Sequence, residues 1–179
     1  MTLTDIANIA LEEIGANAIG NIDGNDVNAR RIKRRIFLSI ETMSKKRNWV
    51  CLRKDVELTR CIEKFFDDRY VFNIPNGLLN VISESAKWER FADGFLSREP
   101  RLRIFGTFLS YDPDTWNVNL TNAIIAQIKK DIAPQFVKPE VIQNIFAISE
   151  QTIRDAMLSD AYDEHNKIID KNPTWYSEI

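Results

Sequence analysis

Ala29, Ile32, Ile36, Ile40 and Met43 recur at steps of three and four residues, a spacing that lines one face of a helix. Asn25-Asp26 offers an N-cap and Trp49 follows just past the far end, so a helix is expected over 26–48. The same segment carries eight basic side chains (Arg30, Arg31, Lys33, Arg34, Arg35, Lys45, Lys46 and Arg47) against Asp26 and Glu41, a net of +6 in a chain of net charge −2. One helix therefore reads as both the central apolar strut and the positive pole of the molecule. At about 100° per residue, Arg30, Arg31, Arg34 and Lys45 fall opposite the isoleucine stripe, with Val27 and Leu38 on the same outer face. Apolar groups there point to a second contact surface.

Upstream, Thr2 with Asp5 three residues on predicts a capped helix over 2–15 with Leu3, Ile6, Ala7, Ala10, Leu11 and Ile14 as its stripe and Gly15 as its stop. A turn-rich loop then leads to the long helix, and the first fifty residues read as a helical hairpin. From about 50 to 116 the period becomes two. Val56 and Leu58, then Tyr70, Phe72 and Ile74, then Leu102 and Ile104 alternate with polar or opposite-face residues. Pro75-Asn76-Gly77 and Asp93-Gly94 are turn signals, the latter between Trp88–Phe91 and Phe95-Leu96. Helical spacing returns with Leu120, Ile124, Ile128 and Ile132, expected to end at Pro134 (helix 119–133). A last helix is expected over 139–165, opened by Pro139-Glu140 and striped by Val141, Ile145, Ile148, Thr152 and Ala156. Ile142, Phe146, Ile153 and Met157 broaden its apolar surface and imply cover on two sides. An extended tail, 166–179, carries Trp175-Tyr176, a pair suited to docking on a partner. The fold class expected is α+β, mainly α: one domain over 1–179, an antiparallel bundle of about four helices with a small antiparallel β insertion and long loops between the second and third helices.

The chemistry of a small-molecule enzyme is missing from the sequence. There is no glycine-rich phosphate loop, HExxH or GxSxG. The one histidine, His165, sits in an acidic stretch and reads as solvated, as do the carboxylate pairs Glu12-Glu13 and Asp67-Asp68. Cys51 and Cys61 lack zinc spacing and read as reduced thiols; no catalytic, cofactor-binding or metal-ligating residue is expected. No apolar run approaches the ~18 residues of a membrane span, so no membrane partner is expected and the chain reads as folding in a reducing cytoplasm. A sequence pI near 5.6 argues against a general nucleic-acid coat. Charge is instead polarised: Pro139 to Ile179 holds eight acidic residues against Arg154, Lys167 and Lys171.

The order of these weak signals resembles tail tubular protein A, the head-to-tail adaptor family of short-tailed bacteriophages. The residues that carry the likeness are Ala10-Leu11-Glu12-Glu13-Ile14-Gly15, the long helix closing on Arg47-Asn48-Trp49, and the strand Tyr70 to Pro75. The hairpin Phe91-Ala92-Asp93-Gly94-Phe95-Leu96, the segment Ala133-Pro134-Gln135-Phe136 and Lys138-Pro139-Glu140 complete the series, which runs from Thr4 to Tyr162. The resemblance implies a structural virion protein and no enzyme: a homo-oligomeric ring of twelve subunits at the head-to-tail interface, assembled in the host cytoplasm. Its implied neighbours are the portal protein above and the tail nozzle protein below, with duplex DNA passing through non-specifically. On that reading Arg30, Arg31, Arg34, Leu38 and Lys45 are channel or subunit-interface contacts, and Trp175 and Tyr176 serve docking. The other expectation is a small DNA-binding or DNA-packaging accessory protein that uses the basic helix 26–48 on duplex.

Overall fold

Thr2 and Asp5 cap the first helix, α1 (Leu3–Glu13), reciprocally: the Asp5 amide donates to Thr2 Oγ1 at 3.2 Å and the Thr2 amide to Asp5 Oδ2 at 2.7 Å. At its other end Gly15, with φ +73°, lets the Ala16 amide reach back to the Leu11 carbonyl and the Gly15 amide to that of Glu12, the paired bonds of a Schellman stop. These residues belong to a computed structural model that describes residues 1–25, 27–62, 68–84, 86–92 and 94–170. The expected N-cap Asp26, the Asp93 half of the hairpin turn, Asp67 and the docking pair Trp175-Tyr176 lie outside the described residues, as does the Cys61 side chain.

Among the described residues the chain is mixed α/β, with four α-helices and two small antiparallel sheets. It divides into two compact units, one formed by Met1–Cys51 with Tyr111–Ile179 and the other by Leu52–Ser110. In the first unit, α2 (Val27–Lys46) buries Ala29, Ile32, Ile36, Ile40 and Met43, the expected stripe, together with Ser39 and Ser44. Trp49 is fully buried beyond it, its Nε1 donating to the Met43 carbonyl at 2.7 Å.

The centre of this unit is a different helix from the one expected. In α3 (Val118–Phe136), Leu120, Ala123, Ile124, Ala126, Ile128, Ile132 and Ala133 are buried along with Asn119, Thr121 and Ile125. α1, α2 and α4 (Pro139–Asp170) all pack against it. Burial spread over so much of the circumference marks α3 as the core element, whereas α2 leaves one side open. The expected hairpin of α1 on α2 is also corrected, since each packs on α3 instead. The loop between them occupies the flank of α1: Ile19 and Ile22 are buried, Asn8 exchanges two hydrogen bonds with the Ile19 backbone, and the Ile22 amide donates to Thr4 Oγ1.

Two helix ends differ from expectation. Pro134 lies inside α3 rather than ending it. A proline forfeits its own bond to the carbonyl four residues back, but in a final turn only that bond is lost, and the Val137 amide still closes on Ala133 O at 2.9 Å. α4 continues five residues beyond 165, so 166–170 is helical and not part of an extended tail. Its core face also differs. Ser149, Ile153, Ala156 and Asp160 are buried, while Val141 and Ile148 of the expected stripe are exposed. Serine and alanine at the contact let α4 approach α3 closely, and that favours the face with the smaller side chains.

In the second unit, β1 (Arg53–Glu57), β7 (Arg103–Phe108) and β4 (Leu78–Glu84) form one antiparallel sheet with β7 central. β2 (Arg60–Ile62), β3 (Tyr70–Asn73), β6 (Gly94–Ser97) and β5 (Glu89–Phe91) form the other in that order. Leu58, Phe72, Phe95, Leu102, Ile104 and Phe108 make its core, with Trp88 edge-on to Phe95 at 4.6 Å between ring centroids. Val71, expected to face away from the core, is buried as well as Phe72. The turn at Pro75–Leu78 places Gly77 at φ +78°, the positive value a type II turn requires at its third residue. At Gly106 any Cβ would stand 2.5 Å from the Asn80 carbonyl, so only glycine lets β4 and β7 pair there.

Candidate functional site

On the outer side of α2, Arg30, Arg31, Arg34 and Lys45 are all exposed, as the helical spacing required, and Val27 and Leu38 stand among them at 56% and 45% exposure. Arg30, Arg31, Arg34 and Arg35 line an open depression of about 550 Å³ with Gln135 of α3 and no acidic side chain. Arg30 is held by its own turn, its Nε and Nη2 donating to the Asn25 carbonyl at 3.3 and 2.7 Å. Arg31, Arg34 and Arg35 have no ion pair among the described residues. Two of the helix's lysines are engaged. Lys33 meets Asp23 at 2.6 Å and Lys45 meets Glu41 at 3.8 Å. Glu41 also accepts from the Tyr111 hydroxyl at 2.8 Å; burial, then that bond, push the Tyr111 phenol above its ordinary value. Four adjacent guanidiniums without a carboxylate form a surface suited to phosphate oxygens or to carboxylates on another protein.

A second outward surface runs along α4, where Val141, Ile148, Leu158 and Tyr162 are 46 to 70% exposed. Isolated exposed apolar side chains are ordinary; four large ones along one helix are a patch. The expectation that this helix is covered on two sides thus meets a bare second side in the single chain.

Sequence reasoning missed the polar centre of the unit. Asp160 is fully buried on α4. It accepts from Arg47 Nε at 3.1 Å, Asn117 Nδ2 at 3.0 Å and the Val50 amide at 3.3 Å. Arg47 also reaches Glu164 at 3.5 Å, and Asn119 donates to Asp163 at 3.0 Å. With each oxygen engaged by protein donors, the cluster is a structural tie and offers no open position to a ligand.

Within the strand unit, a depression of about 1050 Å³ is lined by Arg69, Lys87, Arg98 and Arg101 and also by Glu84, Glu89 and Glu99, and Arg69 and Glu89 pair at 2.5 Å. Asp68 and His165 are exposed. Among the described residues no three His, Cys, Asp or Glu side chains stand where they could share a metal ion, and no helix is long and apolar enough to cross a membrane. Compared with known protein families and with curated proteins, the chain matches none.

Proposed function

We propose that the chain is a structural subunit of a head-to-tail adaptor ring, a virion component that joins a portal to a tail and lets the genome pass. The observation that carries this reading is the pair of outward faces on one helical unit: a cationic, partly apolar face on α2 and an apolar face on α4. A subunit with two unlike faces meets its neighbours head to tail, the arrangement that closes into a ring. In this reading the four helices act as an antiparallel bundle that fixes both faces, and the strand unit is carried as the insertion between α2 and α3. The ordered likeness from Ala10-Leu11-Glu12-Glu13-Ile14-Gly15 to Lys138-Pro139-Glu140 supplies the partners, a portal above and a nozzle below, and the count of twelve. It is an analogy at the level of fold.

The test is the mass and negative-stain image of the purified protein, alone and mixed with a portal ring. A closed ring, free or seated on the portal, is the expected result. A protein that stays monomeric and leaves the portal unaltered overturns the proposal.

One observation favours a second reading. The arginine depression on α2 lacks any acid, which also suits a small DNA-binding or packaging accessory protein. Such a protein binds duplex tightly with a preference among sequences; an adaptor does not.

A further inference from the structure

The outer faces of α2 and α4 share one pattern with opposite charge. On α4, Val141, Ile148, Asp155 and Tyr162 recur every seven residues, with Leu158 three beyond Asp155. On α2, Val27 and Arg34 are seven apart, with Leu38 four beyond Arg34 and Lys45 seven beyond Leu38. All nine side chains are exposed. Spacings of three, four and seven keep a seam on one side of a helix so that a partner helix can follow it. Each seam reads apolar, charged, apolar: Ile148, Asp155, Leu158 on one and Val27, Arg34, Leu38 on the other. Read backwards, Leu158, Asp155, Ile148 also match Val27, Arg31, Leu38, so either helix direction brings a guanidinium to the carboxylate between two apolar contacts.

The surrounding charge agrees. α2 holds seven basic side chains against Glu41, while the exposed acids of α4 up to residue 165 are Glu140, Glu150, Asp155 and Asp163 against Arg154; Asp160 is buried against Arg47. Arg154 turns its Nε toward its own helix, to the Glu150 carbonyl at 3.4 Å. Asp155 is held in place by Gln151 Nε2 at 2.8 Å and retains lone pairs for a cation.

We infer that the α4 seam of one copy receives the α2 seam of a second copy. Within one chain both seams face outward, so they cannot satisfy each other. Like seams would set the arginines of one α2 beside those of another, or the acidic α4 against itself, which a complementary interface avoids. The contact joins unlike faces; repeated from copy to copy it is heterologous, whereas two copies that exchange both contacts reciprocally stop at a dimer. The inference rests on the ring reading for its closure alone.

Disulfide trapping tests it. In a background with Cys51 and Cys61 replaced by serine, Leu38→Cys protein is mixed with Leu158→Cys or Ile148→Cys protein under mild oxidation. All three positions are exposed, so folding is undisturbed. A mixed dimer in at least one combination, in several-fold excess over either homodimer, is expected, and the combination that reacts gives the helix direction. A chain carrying both reactive cysteines then gives a ladder of covalent multimers. Leu38→Cys homodimers in excess, or no cross-link in either mixture, overturns the pairing. Negative stain separates this from the ring reading. Open filaments with the cross-link intact support the pairing and remove the ring, while closed rings without a cross-link support the ring and overturn the pairing.

Discussion

Arg47 and Asp160 stand 113 residues apart and meet at 3.1 Å, the carboxylate fully buried and the guanidinium mostly so. The contact joins the exit of α2 to the middle of α4. Through Asn117, whose Oδ1 caps α3 by accepting from the Leu120 amide at 2.9 Å, it reaches the start of the central helix as well. Three segments distant in sequence are thus indexed by one carboxylate, which fixes how α2 and α4 present their outer faces.

Asp160→Ala is expected to destabilise the protein by about 3–5 kcal/mol, because it strands a guanidinium, an amide side chain and the Val50 N–H in a buried site. Urea denaturation measures this. Glu164→Ala, which removes the longer contact to Arg47 at 3.5 Å and leaves the buried carboxylate in place, should cost far less. Equal losses for the two would show that the buried pair has no special part.

Ile36 and Leu38 lie two residues apart on opposite sides of α2, one fully buried and the other exposed. Ile36→Asp places an unpaired charge in the core and is expected to cost more than about 4 kcal/mol. Leu38→Asp should stay within about 0.5 kcal/mol of wild type in the dilute protein. Thermal melting at low concentration distinguishes them; an unchanged Ile36→Asp melt would mean the stripe is not core.

How far the fold could be read in advance follows from which residues carry one signal and which carry two. Ile32, Ile36 and Ile40 are apolar against a charged background, so their helix and its buried face were plain. The capping box of Thr2 and Asp5 and the stop at Gly15 were equally local. The central place of α3 was hidden because Ala123, Ala126 and Ala133 suit a core or a surface alike, and Lys129 and Lys130 look solvated until Glu13 and Glu150 are found beside them. β4 was missed because its pairing with β7 shifts register twice, between Leu78 and Asn80 and between Val81 and Ser83, which erases the alternation. Asp160 was invisible since its partners lie on other segments. The outward arginines were legible from helical geometry alone, but the bare stripe on α4 needed the packing to show which of two apolar faces is used.

Asp5 gives α1 a dependence on pH. Its carboxyl is held below its ordinary value of 3.8, first by the Thr2 backbone N–H and then by the Thr2 hydroxyl. A folded-state value below the unfolded one stabilises the fold fully above 3.8, and that contribution is lost as pH falls through the depressed value. Asp5→Asn should therefore lower the denaturation midpoint near neutral pH, and its difference from wild type should begin to shrink below 3.8 and close once the pH is under the depressed folded value. A gap that persists undiminished in acid would place the effect of Asp5 outside its charge.

Duplex DNA separates the adaptor from the accessory protein. A tunnel that passes DNA must not hold it, so an adaptor should meet the duplex through few phosphate contacts and no base edges. Base-edge recognition typically supplies about 1–3 kcal/mol of discrimination per good bidentate pair, and nothing on the outer face of α2 besides its arginines offers such a set. The free protein is expected to bind duplex weakly, without sequence preference, and to lose that binding steeply as salt rises. Replacing Arg30, Arg31 and Arg34 by glutamine should lower the affinity and flatten the salt slope by roughly one unit for each phosphate contact removed. The melting temperature should hold, because all three are exposed opposite the buried stripe. Arg34 also belongs to the seam read as a subunit contact, so the triple variant should lose self-association too. Arg30→Gln with Arg35→Gln, which flank that seam, should weaken DNA binding alone. Fluorescence anisotropy on random and repeated duplexes at two salt concentrations reads these outcomes. Tight binding to one sequence that survives physiological salt and random competitor would favour the DNA-binding accessory reading over the adaptor. Weak binding unaltered in the triple variant would leave the adaptor role in place and remove the α2 arginines from the DNA path.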